Sequence, residues 1–514
     1  MTFNEIPLDN MVPLFATEFN NTRAAKGGVM PWKNLIIGQP LSANNANAGS
    51  LKRIFSDVQA DQLFGAGSQI ALMIRAFRKA NSFAELWALA VPDATNSGGQ
   101  SVAKSSGKIE VDFASGSTAS ASGVIKLMIA GQACNVSVEA GQNDVAIATE
   151  IAFAINANSQ LPVTATQDTG ESSALLPSVT ITAKNAGTFG NGINIRYNHN
   201  QGEELPGNVT VTITDMDDAG ADPTYSDGNV GNIIRGTWFN SVAVGSSEAT
   251  NVAYIKSVLD TRWTATVQQT GVAFFGVNVP EESGDTHVAE ISLEDYLERV
   301  EDLNSQVLVV PSIPKSPTPG FVMAAATMGV CAGLALNNPA LPLKSVAVPG
   351  IVAPKEEDRL DLPNNNLLLK AGCALLVAAD DGTVYLSRIV TTYKHNAMGE
   401  NDVSYQQLET VFTLARLRWD WNNDMSNKYP RAVIGSDDDQ YGPGVQVITP
   451  TTGKAEIISK YEDWVKAGFC KNLALFRDNV ICIQDPDDEH ALQWYVPADL
   501  VKQFFIGKTQ FAFS

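Results

Sequence analysis

The spacing of apolar positions changes twice along this chain, and the changes separate regions of different structure. Leu35–Gly38 predicts a short strand. The segment 61–81 carries the Phe64–Ser68 stretch and then predicts a helix with one apolar face, for which Ser68 is the N-cap. Residues 87–91 predict a second strand. From about Val242 helices and strands alternate. The predicted pairs are 251–262 with 272–279, 293–304 with 306–310, and 321–336 with 345–348. This alternation is typical of an α/β core, a mixed sheet flanked by helices.

Between these parts the pattern is mostly that of strands. Residues 93–122 are rich in Gly, Ser, Ala and Thr and predict a loop or boundary. One helix, 144–158, interrupts the strands, so an inserted β-rich α+β domain is predicted. Its strands are 124–130, 136–139, 163–166, 179–183, 193–197 and 209–214.

The C-terminal half begins with a hairpin, in which Asp380-Asp381-Gly382 connects 374–379 to 383–389. Helices are predicted at 405–421 and 454–468. The apolar run 472–476 predicts a strand that pairs with 480–484.

Both chain ends are apolar, although chain ends are usually polar and loose. Residues 1–22 are extended in pattern, because Pro7 and Pro13 exclude a helix. The last five residues alternate with the period of a strand. Each end either folds back onto its own sheet or adds a strand to a neighbour's sheet. The residues concerned are Phe3, Ile6, Leu8, Val12 and Leu14 at the N-terminus, and Phe504, Phe505, Ile506, Phe511 and Phe513 at the C-terminus.

The predicted fold is therefore an α/β core with an inserted β-rich α+β domain and extended N- and C-terminal arms. The boundaries are an N-terminal arm at 1–22, a first core part at 23–98, the inserted outer domain at 99–240, a second core part at 241–490 and a C-terminal arm at 491–514.

Composition fits a globular protein, because 44% of the 514 residues are hydrophobic and 18% are charged. The net charge of −20 argues against a nucleic-acid binder, which normally presents a basic face. Five cysteines in apolar surroundings predict buried thiols in a reducing compartment. The start lacks the basic segment of a signal peptide. The apolar run 321–336 is short for a membrane span and predicts a buried core helix.

No catalytic, cofactor-binding or metal-binding residue is predicted. Four histidines are scattered without metal-ligand spacing. The segment Thr452–Ala455 resembles the end of a P-loop, but Ala455 and Ile448 stand where a Ser/Thr and the first glycine belong. The Gly65–Ser68 turn before a helix lacks the rest of a nucleotide-binding fingerprint, so a tight turn and helix cap are predicted.

A set of short motifs, in this order, resembles the contractile tail sheath proteins of bacteriophages, most closely the Mu-like group. The resemblance covers nearly the whole chain. The motifs are Phe64–Ser68, Val346–Pro354 with Asp358 and Arg359, Asn364–Leu369, Asp381–Val384 with Arg388, Thr391–Tyr393, Asp402–Tyr405, Lys428–Arg431, Asp485–Pro486 and Pro497–Val501.

The resemblance implies a non-enzymatic subunit that stacks with itself into a helical sheath around an inner tail tube, with the arms pairing into neighbours' sheets. It implies baseplate and tail terminator proteins as further partners, and neither nucleic acid nor membrane insertion. It also implies a virion tail component that is assembled in the host bacterial cytoplasm. No nucleotide is implied, in agreement with the incomplete P-loop.

In related sheaths, a helix near the C-terminal part of the core contacts the tube partly through charge. The candidate here is 454–468, with Lys454, Lys460 and Lys466. At about 100° per residue these lysines fan around the helix, so an ordinary amphipathic core helix is the alternative. For the whole protein, the alternatives are the sheath of a phage-derived bacteriocin or injection particle, and a β-rich virion binding or decoration protein.

Overall fold

A computed structural model describes residues 30–168, 177–217, 220–277, 290–442 and 444–513. The chain divides into two compact units. The larger contains residues 32–415 and 501–513, and the smaller contains residues 30–31 and 416–500. The division of residues 416–500 from the core was not part of the sequence prediction.

Strands and helices are both numerous, so the protein is of mixed α/β class. The strands are β1 (Lys33–Gly38), β2 (Leu51–Ile54), β3 (Glu85–Ala90), β4 (Ser106–Phe113), β5 (Gly123–Ile129), β6 (Gln132–Val138), β7 (Val163–Asp168), β8 (Ser178–Ala183), β9 (Ile195–Tyr197), β10 (Val209–Asp217), β11 (Ser241–Val244), β12 (Val272–Phe275), β13 (Leu308–Ser312), β14 (Cys373–Ala378), β15 (Val384–Arg388), β16 (Val433–Ile434), β17 (Val447–Ile448), β18 (Ile481–Gln484) and β19 (Leu492–Tyr495). The helices are α1 (Asp57–Phe64), α2 (Gln69–Ala80), α3 (Asp144–Ala157), α4 (Val230–Ile234), α5 (Ala249–Trp263), α6 (Leu293–Glu301), α7 (Gly320–Asn337), α8 (Leu362–Ala371), α9 (Leu408–Lys428), α10 (Pro450–Lys466) and α11 (Leu473–Asn479).

The larger unit contains an eight-stranded sheet in the order β15-β14-β13-β12-β11-β1-β3-β2. Neighbours from β14 to β3 run parallel, while the edge strands β15 and β2 run antiparallel. Ile36 belongs to the apolar core that includes α2 and α7, whereas Leu35 and Ile37 belong to the core that includes α5 and α6. Both faces are therefore covered, which explains why the parallel strands are apolar throughout. The predicted mixed sheet is confirmed.

Helix α7 is the one described helix that is long and apolar enough to cross a membrane. It is 72% buried inside the protein, and its buried side includes Phe321, Met328 and Cys331. The helix therefore packs as part of the core, as the sequence predicted.

The intervening segment, residues 91–240 between β3 and β11, forms two smaller antiparallel sheets. One has the order β10-β4-β8-β7 and the other β6-β5-β9. Helix α3 contributes Ile147, Ile151 and Ile155 to their core, at the predicted spacing of four. Strand β4 lies inside the stretch that predicted only a loop or boundary. The limits of the intervening segment as a separate outer domain, placed at 99–240 from the sequence, remain a prediction.

The Phe64–Ser68 turn holds the intervening segment against the sheet. Ser68 caps α2 by accepting a hydrogen bond from the Ala71 amide, which confirms the predicted cap. Lys184 Nζ donates to the carbonyls of Ser159, at 2.7 Å, and Ala66, at 3.3 Å. A side chain at Gly67 has no room, because its Cβ would lie 2.4 Å from the Leu161 carbonyl oxygen.

In the smaller unit, α10 packs against α11 and the β18–β19 hairpin. The rings of Tyr461 and Phe476 stack with their centroids 3.7 Å apart. The strand predicted at 472–476 is wrong, because these residues begin α11. Only Phe476 of this apolar run is buried, and Leu and Ala favour a helix where neighbouring strands do not bury both faces.

The predicted strand at 345–348 is not a regular element, yet it lies along the outer edge of β15. The Ser345 amide donates to the Leu386 carbonyl at 2.7 Å, and the Leu386 amide donates to the Val346 carbonyl at 2.9 Å. The Val348 amide donates to the Val384 carbonyl at 2.8 Å. These three bonds cover the edge of β15 with the chain's own backbone.

Candidate assembly surfaces

The sequence predicts the C-terminal arm at 491–514, but residues 492–495 form β19 within the smaller unit, so the name is kept from here on for residues 501–513. These residues belong to no helix or strand and project apolar side chains into solvent. None of the arm's backbone groups forms a backbone hydrogen bond with another described residue. Phe511 is 88% exposed and Phe513 is 98% exposed. The strand predicted at 510–514 is therefore not formed within the described chain, because no neighbouring strand of the same chain supplies hydrogen-bond partners.

The first residues of the arm do contact the larger unit. Gln503 Nε2 donates to the Ala340 carbonyl at 3.1 Å, and Lys344 Nζ donates to the Phe504 carbonyl at 2.9 Å. The Phe505 ring is half-buried, with the Arg388 guanidinium carbon 4.6 Å from its centroid. Phe504 and Ile506 remain exposed. The five predicted C-terminal residues thus differ: Phe505 is docked, while the others face solvent.

The β18–β19 hairpin is a two-stranded sheet with unpaired outer edges among the described residues. Its exposed apolar residues are Ile481, Ile483 and Tyr495. Trp494 Nε1 donates to the Gly453 carbonyl at 3.1 Å, which fixes the hairpin to α10. An isolated two-stranded sheet is marginal in water, so this hairpin is suited to accept a further strand.

The three candidate tube-facing lysines lie on α10 and do not share one exposed face. Lys466 is exposed and lies 3.5 Å from Asp463. Lys460 is 12% exposed and points toward Asp424 at 3.9 Å, while Lys454 is half-buried. Their fanned arrangement follows the angle expected from the sequence. A tube-contacting role stays a prediction.

The N-terminal candidates Phe3, Ile6, Leu8, Val12 and Leu14 lie outside the described residues. Nothing in the sequence indicated that Lys344 and Gln503 hold the first residues of the arm. Each bonds a residue about 160 positions away in the chain, and no local pattern indicates such a contact. Arg388 was noted only as part of a family motif.

The sites considered for chemistry have structural explanations. The Thr452-Gly453-Lys454 segment lies inside α10, whose N-cap is Thr449, so its backbone forms a helix and not a phosphate loop. His199 Nε2 lies 3.0 Å from the Ala353 carbonyl, and burial lowers the pKa of this histidine. Among the described residues no group of three His, Cys, Asp or Glu side chains is placed to hold a metal ion. All five cysteines are buried and free.

A known protein is similar to this chain over nearly its whole length. The chain is 29% identical over 507 residues to the Mu-like prophage FluMu tail sheath protein of Haemophilus influenzae, and the match covers 98% of both chains. This match confirms the resemblance to Mu-like tail sheath proteins that the sequence motifs indicated. No family model matches the chain.

Two solved structures are similar at lower identity. The sheath tail protein from Desulfitobacterium hafniense is 11% identical with a TM-score of 0.44, over 96% of this chain and 100% of that one. The sheath complex of an extracellular contractile injection system, PVC, in its contracted state is 10% identical with a TM-score of 0.46, over 98% of both chains.

Proposed function

We propose that this protein is the structural subunit of a contractile tail sheath. It polymerises into a helical tube around an inner tail tube and contracts to drive that tube through the host envelope for genome delivery. The single observation that carries the proposal is the match to a tail sheath protein over 98% of the chain. The exposed C-terminal arm and the two-stranded hairpin supply surfaces for the self-assembly that such a tube needs.

Assembly proceeds by strand addition between copies. The arm of one subunit, with Phe511 and Phe513, pairs with the edge of the β18–β19 hairpin of another. Main-chain hydrogen bonds would stabilise such a contact. The alternating aromatic rings would set the register in which the two strands pair. The N-terminal arm, with Phe3, Ile6 and Leu8, makes an equivalent connection.

Contraction is a change between two packings of the same subunits. The arms keep neighbouring copies connected while the rigid cores slide and rotate, and new core contacts release the energy of burial. The intervening segment faces outward, where it does not obstruct stacking, and α10 faces the tube with Lys466 at its exposed end. The protein acts without catalysis, in the virion tail, after assembly in the host bacterial cytoplasm with baseplate, terminator and tube proteins.

The direct test is electron microscopy of the purified full-length chain at rising concentration, alone and with tail tubes added. Tubes or stacked rings are expected, and a chain lacking residues 506–514 should keep its circular dichroism spectrum but form none. A full-length chain that stays monomeric even with tail tubes, or a truncated chain that still forms tubes, contradicts the proposal.

The sheath of a phage-derived bacteriocin or injection particle is a second candidate with the same subunit chemistry. Particles purified from the producing cells distinguish the two, because a phage tail carries a DNA-filled head and a bacteriocin does not.

A further inference from the structure

The root of the C-terminal arm, residues 501–505, is docked on the larger unit in an ordered way. Burial alternates along it: Val501, Gln503 and Phe505 are half-buried, while Lys502 and Phe504 are exposed. From Ile506 to Phe513 every residue is exposed. The arm therefore has a docked part and a free part that meet between Phe505 and Ile506.

Two cations hold the ring at this junction. The Arg388 guanidinium carbon lies 4.6 Å from the Phe505 ring centroid, and Lys344 Nζ lies 5.9 Å from it. Both distances are within the range in which a cation is attracted to the face of an aromatic ring. We call Lys344, Arg388 and Phe505 the aromatic clamp.

The nearer cation of the clamp is held in position by the larger unit. Arg388 ends β15, and its Nε donates to Gln407 Oε1 at 3.2 Å. A guanidinium that is already held loses little side-chain freedom when the ring docks, so more of the attraction stabilises the docked arm. The Lys344 ammonium is instead tied to the arm itself, because its Nζ donates to the Phe504 carbonyl at 2.9 Å.

We infer that the aromatic clamp fixes the root of the arm, so that the strand given to a neighbouring copy begins at Ile506. This inference rests on the proposed sheath function. At about 3.3 Å per residue, the eight residues 506–513 reach about 26 Å, whereas an arm released from Val501 onward would reach roughly 16 Å further. The clamp therefore sets the distance at which a neighbour receives the strand and selects one neighbour over a more distant one.

Limited proteolysis of the full-length chain tests the clamp, at a concentration too low for assembly. Trypsin cleaves after Lys502, inside the docked root, and after Lys508, in the free part. We expect cleavage after Lys508 to be at least tenfold faster in the wild-type chain, because a docked segment must detach before it enters a protease.

Two variants remove the clamp in different ways. Arg388→Gln removes the nearer cation, and Phe505→Leu removes the ring but keeps an apolar side chain. Each should raise the rate of cleavage after Lys502 about two- to fivefold, the size expected for one exposed cation–π contact, and leave cleavage after Lys508 unchanged.

The matched control is Arg53→Gln. Arg53 lies in edge strand β2, at the opposite end of the large sheet, with its guanidinium carbon 5.2 Å from the Phe55 ring centroid. The variant therefore removes the same kind of contact far from the arm, together with an ion pair to Glu85 at 3.8 Å. It should change neither rate. Equal cleavage at both lysines in the wild-type chain, or an unchanged ratio in both clamp variants, would overturn the inference.

Electron microscopy of the same variants at high concentration separates this inference from the proposed function. Tubes of irregular helical order in Arg388→Gln support both, and tubes as regular as those of the wild type overturn the role of the clamp in selecting a neighbour. A wild-type chain that never assembles overturns the sheath function and, with it, the strand transfer, while the proteolysis still decides whether the root is clamped.

Discussion

Asp93 Oδ1 accepts a hydrogen bond of 2.9 Å from Asn185 Nδ2 in the buried contact between the large sheet and the intervening segment. The same oxygen accepts one of 2.8 Å from Gln39 Nε2, and Oδ2 accepts one of 3.0 Å from the Ala186 amide. Burial raises the pKa of Asp93 above its ordinary value, and these hydrogen bonds offset only part of that rise. The carboxylate is thus the acceptor on which three donors converge, one from Gln39 after β1 and two from the consecutive residues Asn185 and Ala186.

Replacing Asp93 with Asn should destabilise the larger unit by about 1–3 kcal/mol. The new amide places its own NH₂ group among donors, so at least one buried donor loses its acceptor. Urea denaturation measures the effect, with Asp302→Asn at the exposed end of α6 as control, which should change stability little. Equal stability of the two variants would contradict the role assigned to Asp93.

Gly67 and Gly382 provide a matched pair for the close packing of the Phe64–Ser68 turn. Both have positive φ, +78° and +79°, but a Cβ at Gly382 meets nothing within 4 Å. Gly382→Ala should therefore cost only the backbone strain of about 1 kcal/mol. Gly67→Ala should cost several times as much, since it must also displace the Leu161 carbonyl. Thermal unfolding of both variants checks this, and similar melting temperatures would show that the turn can move apart.

Glu409 should make stability depend on pH in a defined window. Burial raises its pKa from 4.5 to about 7. The folded chain then holds this proton more tightly than the unfolded chain, so the contribution is full below pH 4.5 and is lost as pH rises through about 7. The difference between the two pKa values corresponds to roughly 3 kcal/mol.

Glu409→Gln isolates that contribution from the other carboxylates. The stability of the wild type relative to the variant should fall between pH 5 and pH 7.5, measured by urea denaturation at both values. A difference that is constant across this range would mean that Glu409 has the same pKa in the folded and unfolded chains.

The exposed face of the β18–β19 hairpin should matter for assembly and not for folding. Ile481 and Ile483 are 51% and 47% exposed, so replacing both with Thr keeps the β-branched shape and removes little core. The concentration needed for tube formation should rise at least tenfold, while the melting temperature stays unchanged. Asp487→Ser, in the connecting turn, is the control for sedimentation and microscopy. Unaltered assembly of the Thr variant would exclude this face as the acceptor.

Much of the large sheet is predictable from local pattern. The strands around Ile36, Phe274 and Val309 are apolar runs between helices, and such runs carry their own signal because both faces of a parallel sheet are buried. The α3 helix and the Ser68 cap follow from spacing and from a single capping residue, which are also local features.

The sequence-based predictions fail where contacts between distant parts of the chain decide the local structure. Residues 472–476 lead into a helix in which Phe476 stacks on the Tyr461 ring. An apolar run of five residues is too short to distinguish the period of a helix from that of a strand. The contact of Arg388 with Phe505 joins distant parts of the chain and has no sequence pattern. The apolar arm indicated that a partner is needed, but only its exposure shows where the docked root ends.

The covered edge of β15 bears on how such a chain avoids aggregation. A long sheet with an open edge strand is a template to which a strand of another chain can add. Residues 345–348 occupy that edge with three hydrogen bonds from the chain itself. On this side the backbone groups of β15 are already used within the chain, so the large sheet offers no open edge onto which a strand of another molecule could add.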